Sequence, residues 1–148
     1  MVLLISIVFL LQVISAAALL SLIGDSAYSA TKRAALSFAE SLAISHMDDG
    51  IRVSAVCPQY VATGMLGYSK IKKENMSTGL LGPNQVAEKV VNGLRAETFL
   101  ILPHPEVRKF MQFKLYSYDK WLIAMNRLRK KALKETGDLD IKNIHKVD

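Results

Sequence analysis

Ser26 to Met47 reads SAYSATKRAALSFAESLAISHM. The stretch holds no Gly or Pro and is dominated by helix formers, which predicts one long helix. Tyr28 and Lys32 stand four residues apart on it, so their side chains share a face and can meet. An ammonium beside a phenol favours the phenolate form, which makes the pair a candidate general acid/base for an alcohol or carbonyl oxygen. The small side chains of Ala30, Ala34, Ala35, Ala39 and Ala43 permit close approach to a sheet or to another helix.

Upstream, Met1 to Gly24 carries no charged residue. Two readings of this run stand side by side. It is long and apolar enough for a membrane segment over residues 1–23. It also reads as a fully buried parallel strand, roughly Leu3 to Ile14, followed by a loop that contains Ser15. In the second reading a hydroxyl sits at the end of a strand, thirteen residues before Tyr28, where it can hydrogen-bond the same substrate oxygen.

Downstream, Asp48-Asp49-Gly50 ends the helix and Ile51 to Pro58 predicts a short buried strand stopped by proline. Helix, loop and buried strand make half of a βαβ pattern. Residues 59–82 mix Gly, Ser and Lys without sustained period and read as a long binding or lid loop. Pro83 and Asn84 open a helix to about Ala96, and Phe99 to Pro103 is a further buried strand. Val107, Met111, Leu115, Tyr118, Leu122, Met125 and Ala132 recur at helical steps, so the tail is expected to be amphipathic helix, with the residues after Gly137 loose.

Length and composition fit a globular domain: 148 residues, 51% hydrophobic and 22% charged. Residues 104–148 hold 11 Lys/Arg against 6 Asp/Glu, while residues 1–103 hold 8 against 7, so +5 of the net charge of +6 lies in the tail. With no nucleic-acid motif beside it, that charge reads as a solvated helix face. Cys57 has no partner for a disulfide and ends an apolar run, as expected of a buried hydrophobe in a reducing compartment. His46, His104 and His145 lack zinc-ligand spacing, and no metal is expected.

Three of these segments resemble the short-chain dehydrogenase/reductase family. AYSATKRAALSFAESLA resembles its active-site helix, SAAAL from Ser15 its catalytic-serine segment, and IRVSAVCPQYVAT the strand and cofactor loop that follow. The resemblance covers roughly Val13 to Pro103. It implies that Tyr28 is the acid/base, that Lys32 binds the nicotinamide ribose and tunes Tyr28, and that Ser15 positions the substrate carbonyl. Pro58, Val61 and Thr63 match the family's Pro-Gly-x-Val-x-Thr loop, which implies contact with the nicotinamide end of the cofactor. Gln59 departs from that pattern by replacing its glycine, with strain as the expected cost if the position needs φ > 0.

The sequence contains no Gly-x-x-x-Gly-x-Gly or Gly-x-Gly-x-x-Gly, and no Asn-Ala-Gly segment. The fold expected is therefore α/β: a partial Rossmann-like parallel sheet with flanking helices, the first cofactor-binding βαβ units missing, and C-terminal amphipathic helices. Residues 1–103 are expected to form the C-terminal half of the family's Rossmann domain, and 104–148 a basic helical tail. The resemblance implies NAD- or NADP-dependent hydride transfer between an alcohol and a carbonyl, by a truncated chain that binds cofactor weakly. The alternative is a non-catalytic interaction protein, or a membrane-anchored one, derived from this family. Partners expected are a small-molecule alcohol or carbonyl substrate and a second copy of the chain across the Ser26 to Met47 helix, with no nucleic acid. The location expected is cytoplasmic, or the membrane if residues 1–23 form a span.

Overall fold

The computed structural model of the chain describes residues 8–68 and 79–147. Val8–Val13 form strand β1, Ala17–Leu20 a single helical turn α1, and Ser26–Ser45 the long helix α2. Ile51–Val56 form β2, Tyr60–Val61 β3 and Leu80–Leu81 β4. Helix α3 spans Pro83–Arg95 and leads into β5, Leu100–Ile101. The tail is α4 (Glu106–Tyr116), α5 (Tyr118–Thr136) and the short α6 (Ile141–Ile144).

β1, β2 and β5 make one parallel sheet in the order β1-β2-β5, and β3 pairs with β4 in parallel beside it. β1 lies in register with β2 from Val8 opposite Ile51 to Val13 opposite Val56. Parallel neighbours cannot be joined by a hairpin, and here the chain crosses back through α2 and then through α3, as βαβ units require. This is the partial Rossmann-like architecture expected from the sequence.

The core lies between sheet and helices. Ile14, Val53, Ala55 and Cys57 pack against Ala18, Leu36 and Ala39. Ala39 is fully buried, which explains the small residue there: a larger side chain would push α2 off β2. A second cluster joins Ala16 and Leu20 to Val107 and Trp121, so the tail helices share a core with the turn that follows β1.

Three expectations need correction. A membrane helix over residues 1–23 is not what forms, since Val8–Val13 are a strand bonded to β2 and no helix among the described residues is long and apolar enough to cross a membrane. The strand is not fully buried either: Val8 is 52% and Val13 68% exposed, because among the described residues only β2 flanks it and the helical layer packs further along, on Ile14. The residues after Gly137 are docked, not loose. Ile144 and His145 are buried, the Tyr68 hydroxyl lies 3.0 Å from His145 Nε2, and Leu139 sits so close to Gly24 that a Cβ there would meet its carbonyl oxygen at 2.8 Å. Gly24 also has φ +87°, so glycine is required at this junction on two grounds. The predicted strand residues before Val8, and residues 69–78 of the predicted loop, lie outside the described residues.

Helix α3 approaches β5 so closely that a Cβ on Gly93 would stand 2.6 Å from Ile101 Cγ1 and Cδ1. Gly93→Ala is expected to gain up to about 1 kcal/mol of helix propensity and lose about 1–3 kcal/mol to overpacking, a net destabilisation measured by urea unfolding. In an Ile101→Ala background the same change should be neutral or stabilising. Equal effects in the two backgrounds would contradict the contact.

Candidate active site

The C-terminal ends of β1 and β2 open into a cavity of about 680 Å³. Ser15 and Tyr28 both line it. Each is held by local backbone chemistry. Ser15 follows β1, and its Oγ accepts from the Ala17 amide at 3.1 Å, which leaves the hydroxyl proton to be donated elsewhere. Tyr28 sits in the first turn of α2, where its amide donates to Asp25 Oδ1 at 2.8 Å. Asp25 is thus the N-cap of α2, a residue type suited to that position and not assigned from the sequence.

Lys32 lies one turn along, with Nζ 5.4 Å from the Tyr28 ring centroid, within cation–π range. The four-residue spacing does bring the pair together. Ser29, between them, accepts from the Leu22 amide at 2.7 Å and donates to the Asp25 carbonyl at 3.0 Å, tying the entry loop to the helix.

The turn carrying Ser15 is stitched by two cations that sequence reading missed. Arg33 Nε donates to the Ala18 carbonyl at 3.1 Å, and Lys114 Nζ to the Leu19 carbonyl at 2.6 Å. A one-turn helix leaves its last carbonyls without intrahelical partners, and these two side chains supply them. Burial, then repulsion from Arg33, draws the Lys114 ammonium below its usual pKa range. Nothing in the spacing of Lys114, 95 residues from Leu19, could have signalled this contact.

The loop after β2 forms the opposite wall. Pro58 accepts from the Ala16 amide through its carbonyl at 2.8 Å, Val61 lies in β3, and Thr63 accepts through its carbonyl from the Leu66 and Tyr68 amides. These three do not line the cavity; Gln59 and Tyr60 do. Gln59 does not adopt a positive φ, so replacing glycine there brings no left-handed strain. Its Oε1 is buried without a hydrogen-bond partner, an uncommon condition in a folded interior. Cys57 is wholly buried, and burial raises its pKa against the opposing pull of the Ser15 backbone amide, as expected of an inert thiol.

His104 is 1% exposed and fastens this loop to the link between β5 and α4. Its Nδ1 lies 3.1 Å from the Gln59 amide, which must donate to it, and its Nε2 lies 2.9 Å from the Tyr60 carbonyl, which must accept. Those partners define a neutral ring protonated on Nε2. The flanking Pro103 and Pro105 were the only local signal that this histidine is rigidly placed. Among the described residues no group of His, Cys, Asp and Glu could hold a metal ion.

Residues 7–74, which contain Ser15, Tyr28, Lys32 and Thr63, match the family model for short chain dehydrogenase. This stretch of the chain is similar to the short-chain dehydrogenase/reductase family. Over 42 residues, 28% of this chain, it is 48% identical to the oxidoreductase UcpA of Escherichia coli K12, a match that spans 16% of that relative. The corresponding protein of Salmonella typhimurium is 45% identical over 42 residues. Among solved structures the fold is similar to a short chain dehydrogenase/reductase from Burkholderia phymatum in complex with NAD, with a TM-score of 0.65, 20% identity, and coverage of 78% of this chain and 49% of that one. It is similar also to a short chain dehydrogenase from Burkholderia cenocepacia J2315 in complex with NADP, with a TM-score of 0.62 over 79% of this chain and 47% of that one. The chain thus spans about half the length of these dehydrogenases.

A neutral His104 makes stability depend on pH in one direction. Burial holds its folded pKa below 6.5, so the unfolded chain binds the proton first. Its contribution is complete above pH 6.5 and is lost as the pH falls from there through the lowered folded value. Urea midpoints taken from pH 7 down to about 5, where most carboxylates stay ionised, should decline in the native protein. His104→Asn should flatten that decline at a cost of about 1–3 kcal/mol at neutral pH. An unchanged slope in the variant would contradict the assignment.

Proposed function

We propose that this chain carries the proton-transfer and substrate-orienting groups of a dehydrogenase/reductase that interconverts an alcohol and a carbonyl compound. The observation that carries the reading is the shared cavity of Ser15 and Tyr28 with the Lys32 ammonium over the Tyr28 ring. The Ser15 hydroxyl, with its lone pair engaged by the Ala17 amide, donates to the substrate carbonyl oxygen and stabilises the negative charge that develops there. Tyr28 hands its phenolic proton to that oxygen in reduction and recovers it in oxidation. Lys32 holds its ammonium over the Tyr28 ring, 5.4 Å from the centroid, and supplies the positive charge on this side of the tyrosine.

The residues present fit the nicotinamide end of a dinucleotide. The unpartnered Gln59 Oε1 is a buried acceptor on a residue that lines the cavity and would meet a carboxamide N–H once the side chain turns toward the space, while Pro58, Val61 and Thr63 flank Gln59 in the chain without lining the cavity. Bound there, NAD or NADP would supply or accept the hydride. The dehydrogenases of similar fold that were solved with NAD and with NADP support both choices equally. The sequence holds no glycine fingerprint for the pyrophosphate, so the 148-residue chain by itself is left with a few hydrogen bonds of about 0.5–1.5 kcal/mol against an association cost of about 4–15 kcal/mol. A reducing, cytoplasmic setting is proposed on the buried, unpaired Cys57.

A second reading is favoured by one observation. Val8, Phe9, Leu10, Leu11 and Val13 are exposed on β1, and Phe38 and Ile44 on α2, which suits a chain that associates through these surfaces with or without catalysis. The α2 surface is where a second copy would dock.

At saturating cofactor, Tyr28→Phe should lower kcat/KM for alcohol oxidation by about 10²–10⁴ while leaving the unfolding midpoint unchanged. A variant that keeps more than about a hundredth of the native rate would remove Tyr28 from the chemistry. Calorimetric titration of the 148-residue chain with NADH and NADPH should show binding weaker than the low micromolar range, and tight binding would overturn the account of the cofactor site.

A further inference from the structure

The substrate class is readable from the walls of the cavity. Its volume, about 680 Å³, is that of a small-molecule site, far larger than a short alcohol needs. Ile23, Phe110, Met125, Leu128, Ile141 and Ile144 contribute apolar walls, and four of these six belong to α5 and α6. Its two histidines are closed to a ligand. Both nitrogens of His104 are engaged, and His145 is likewise closed, with Nδ1 against the Ile141 carbonyl at 2.8 Å and Nε2 against the Tyr68 hydroxyl. Among the described residues the charged side chains in the wall are one cation, the exposed Lys89, and one anion, the half-buried Glu106, which together select for neither sign.

We propose that the site accepts a bulky, uncharged, apolar alcohol or carbonyl compound whose hydrocarbon body lies between α5 and the C-terminal segment, with Leu128 and Ile141 setting the size limit. The proposal rests on the reading of Ser15 and Tyr28 as the groups that hold the oxygen. The C-terminal segment is fit for this work because it is fixed at both ends: Leu139 against Gly24, and His145 against Tyr68 and the Tyr60 ring, whose centroid is 5.7 Å away. Leu128 and Ile141 are half-buried, so each presents apolar surface without being part of the deepest packing.

Linear primary alcohols from butanol to decanol, titrated calorimetrically into the chain without cofactor, provide the test. Affinity should rise by about fourfold for each added methylene that the cavity buries. Leu128→Trp and Ile141→Trp, each filling part of the space, should weaken decanol at least tenfold and leave butanol unchanged. The two variants stand on different helices, so loss of fold in one leaves the other decisive, and circular dichroism identifies it. Tyr28→Phe should retain the dependence on chain length, which separates this proposal from the catalytic reading: loss of turnover alone in that variant supports the catalysis and leaves the binding result standing. The proposal is overturned if no alcohol binds, if affinity is flat with chain length, or if both tryptophan variants bind decanol as the native chain does, since the alcohol would then sit on the exposed apolar surface of β1.

Discussion

The parallel pairing of β1 with β2 is the constraint on which the rest depends. With Val13 opposite Val56, the ladder continues past both strands: the Ile14 amide donates to the Val56 carbonyl at 2.8 Å and the Ala16 amide to that of Pro58 at 2.8 Å. Ser15 is thereby placed beside the segment that runs from Cys57 to Tyr60. In an open α/β sheet the groups that meet ligands lie beyond the C-terminal ends of the strands, and here that end collects Ser15, Tyr28, Gln59 and His104. A slip of one residue in the register would turn every β1 side chain to the opposite face and carry Ser15 out of the cavity.

Polar accounting then fixes the geometry at this end of the sheet. The turn after Ser15 exposes carbonyls that no helix satisfies, and they are met by Arg33 from α2 and Lys114 from α4. The loop after β2 has an amide and a carbonyl met by one imidazole. In a partly buried region each such bond left unmade would cost about 1–3 kcal/mol, so the cluster resists distortion although the strands themselves are short. Elements distant in sequence are joined here mainly by side-chain to backbone bonds, with apolar packing of Ala16 and Leu20 on Val107 and Trp121 behind them.

Much of this was legible in the sequence because it depends on local period. The 3.6-residue spacing placed Tyr28 and Lys32 on one helical face, and apolar runs ended by Pro58 and Pro103 marked β2 and β5. Hydropathy alone left the first residues open between strand and membrane helix, because both bury apolar side chains and only the presence of a pairing partner separates them. What stayed hidden depends on contacts across long sequence separation. Lys114 and His104 read as an ordinary tail lysine and an isolated histidine, and the residues after Gly137 carry too few apolar positions to announce a docked helix. His145 is held there by ring contacts with Tyr60 and Tyr68, and Ile144 beside it is buried.

The register of β1 against β2 is open to direct measurement by nuclear magnetic resonance on the labelled chain. Extended-strand carbon shifts over Val8 to Val13, with slow exchange of the Ile14 and Ala16 amides and cross-strand contacts from Leu10 to Val53 and Gln12 to Ala55, are the expected result. Helical shifts across Val8 to Val13, or contacts displaced by one residue along β2, would contradict it and would separate Ser15 from Tyr28.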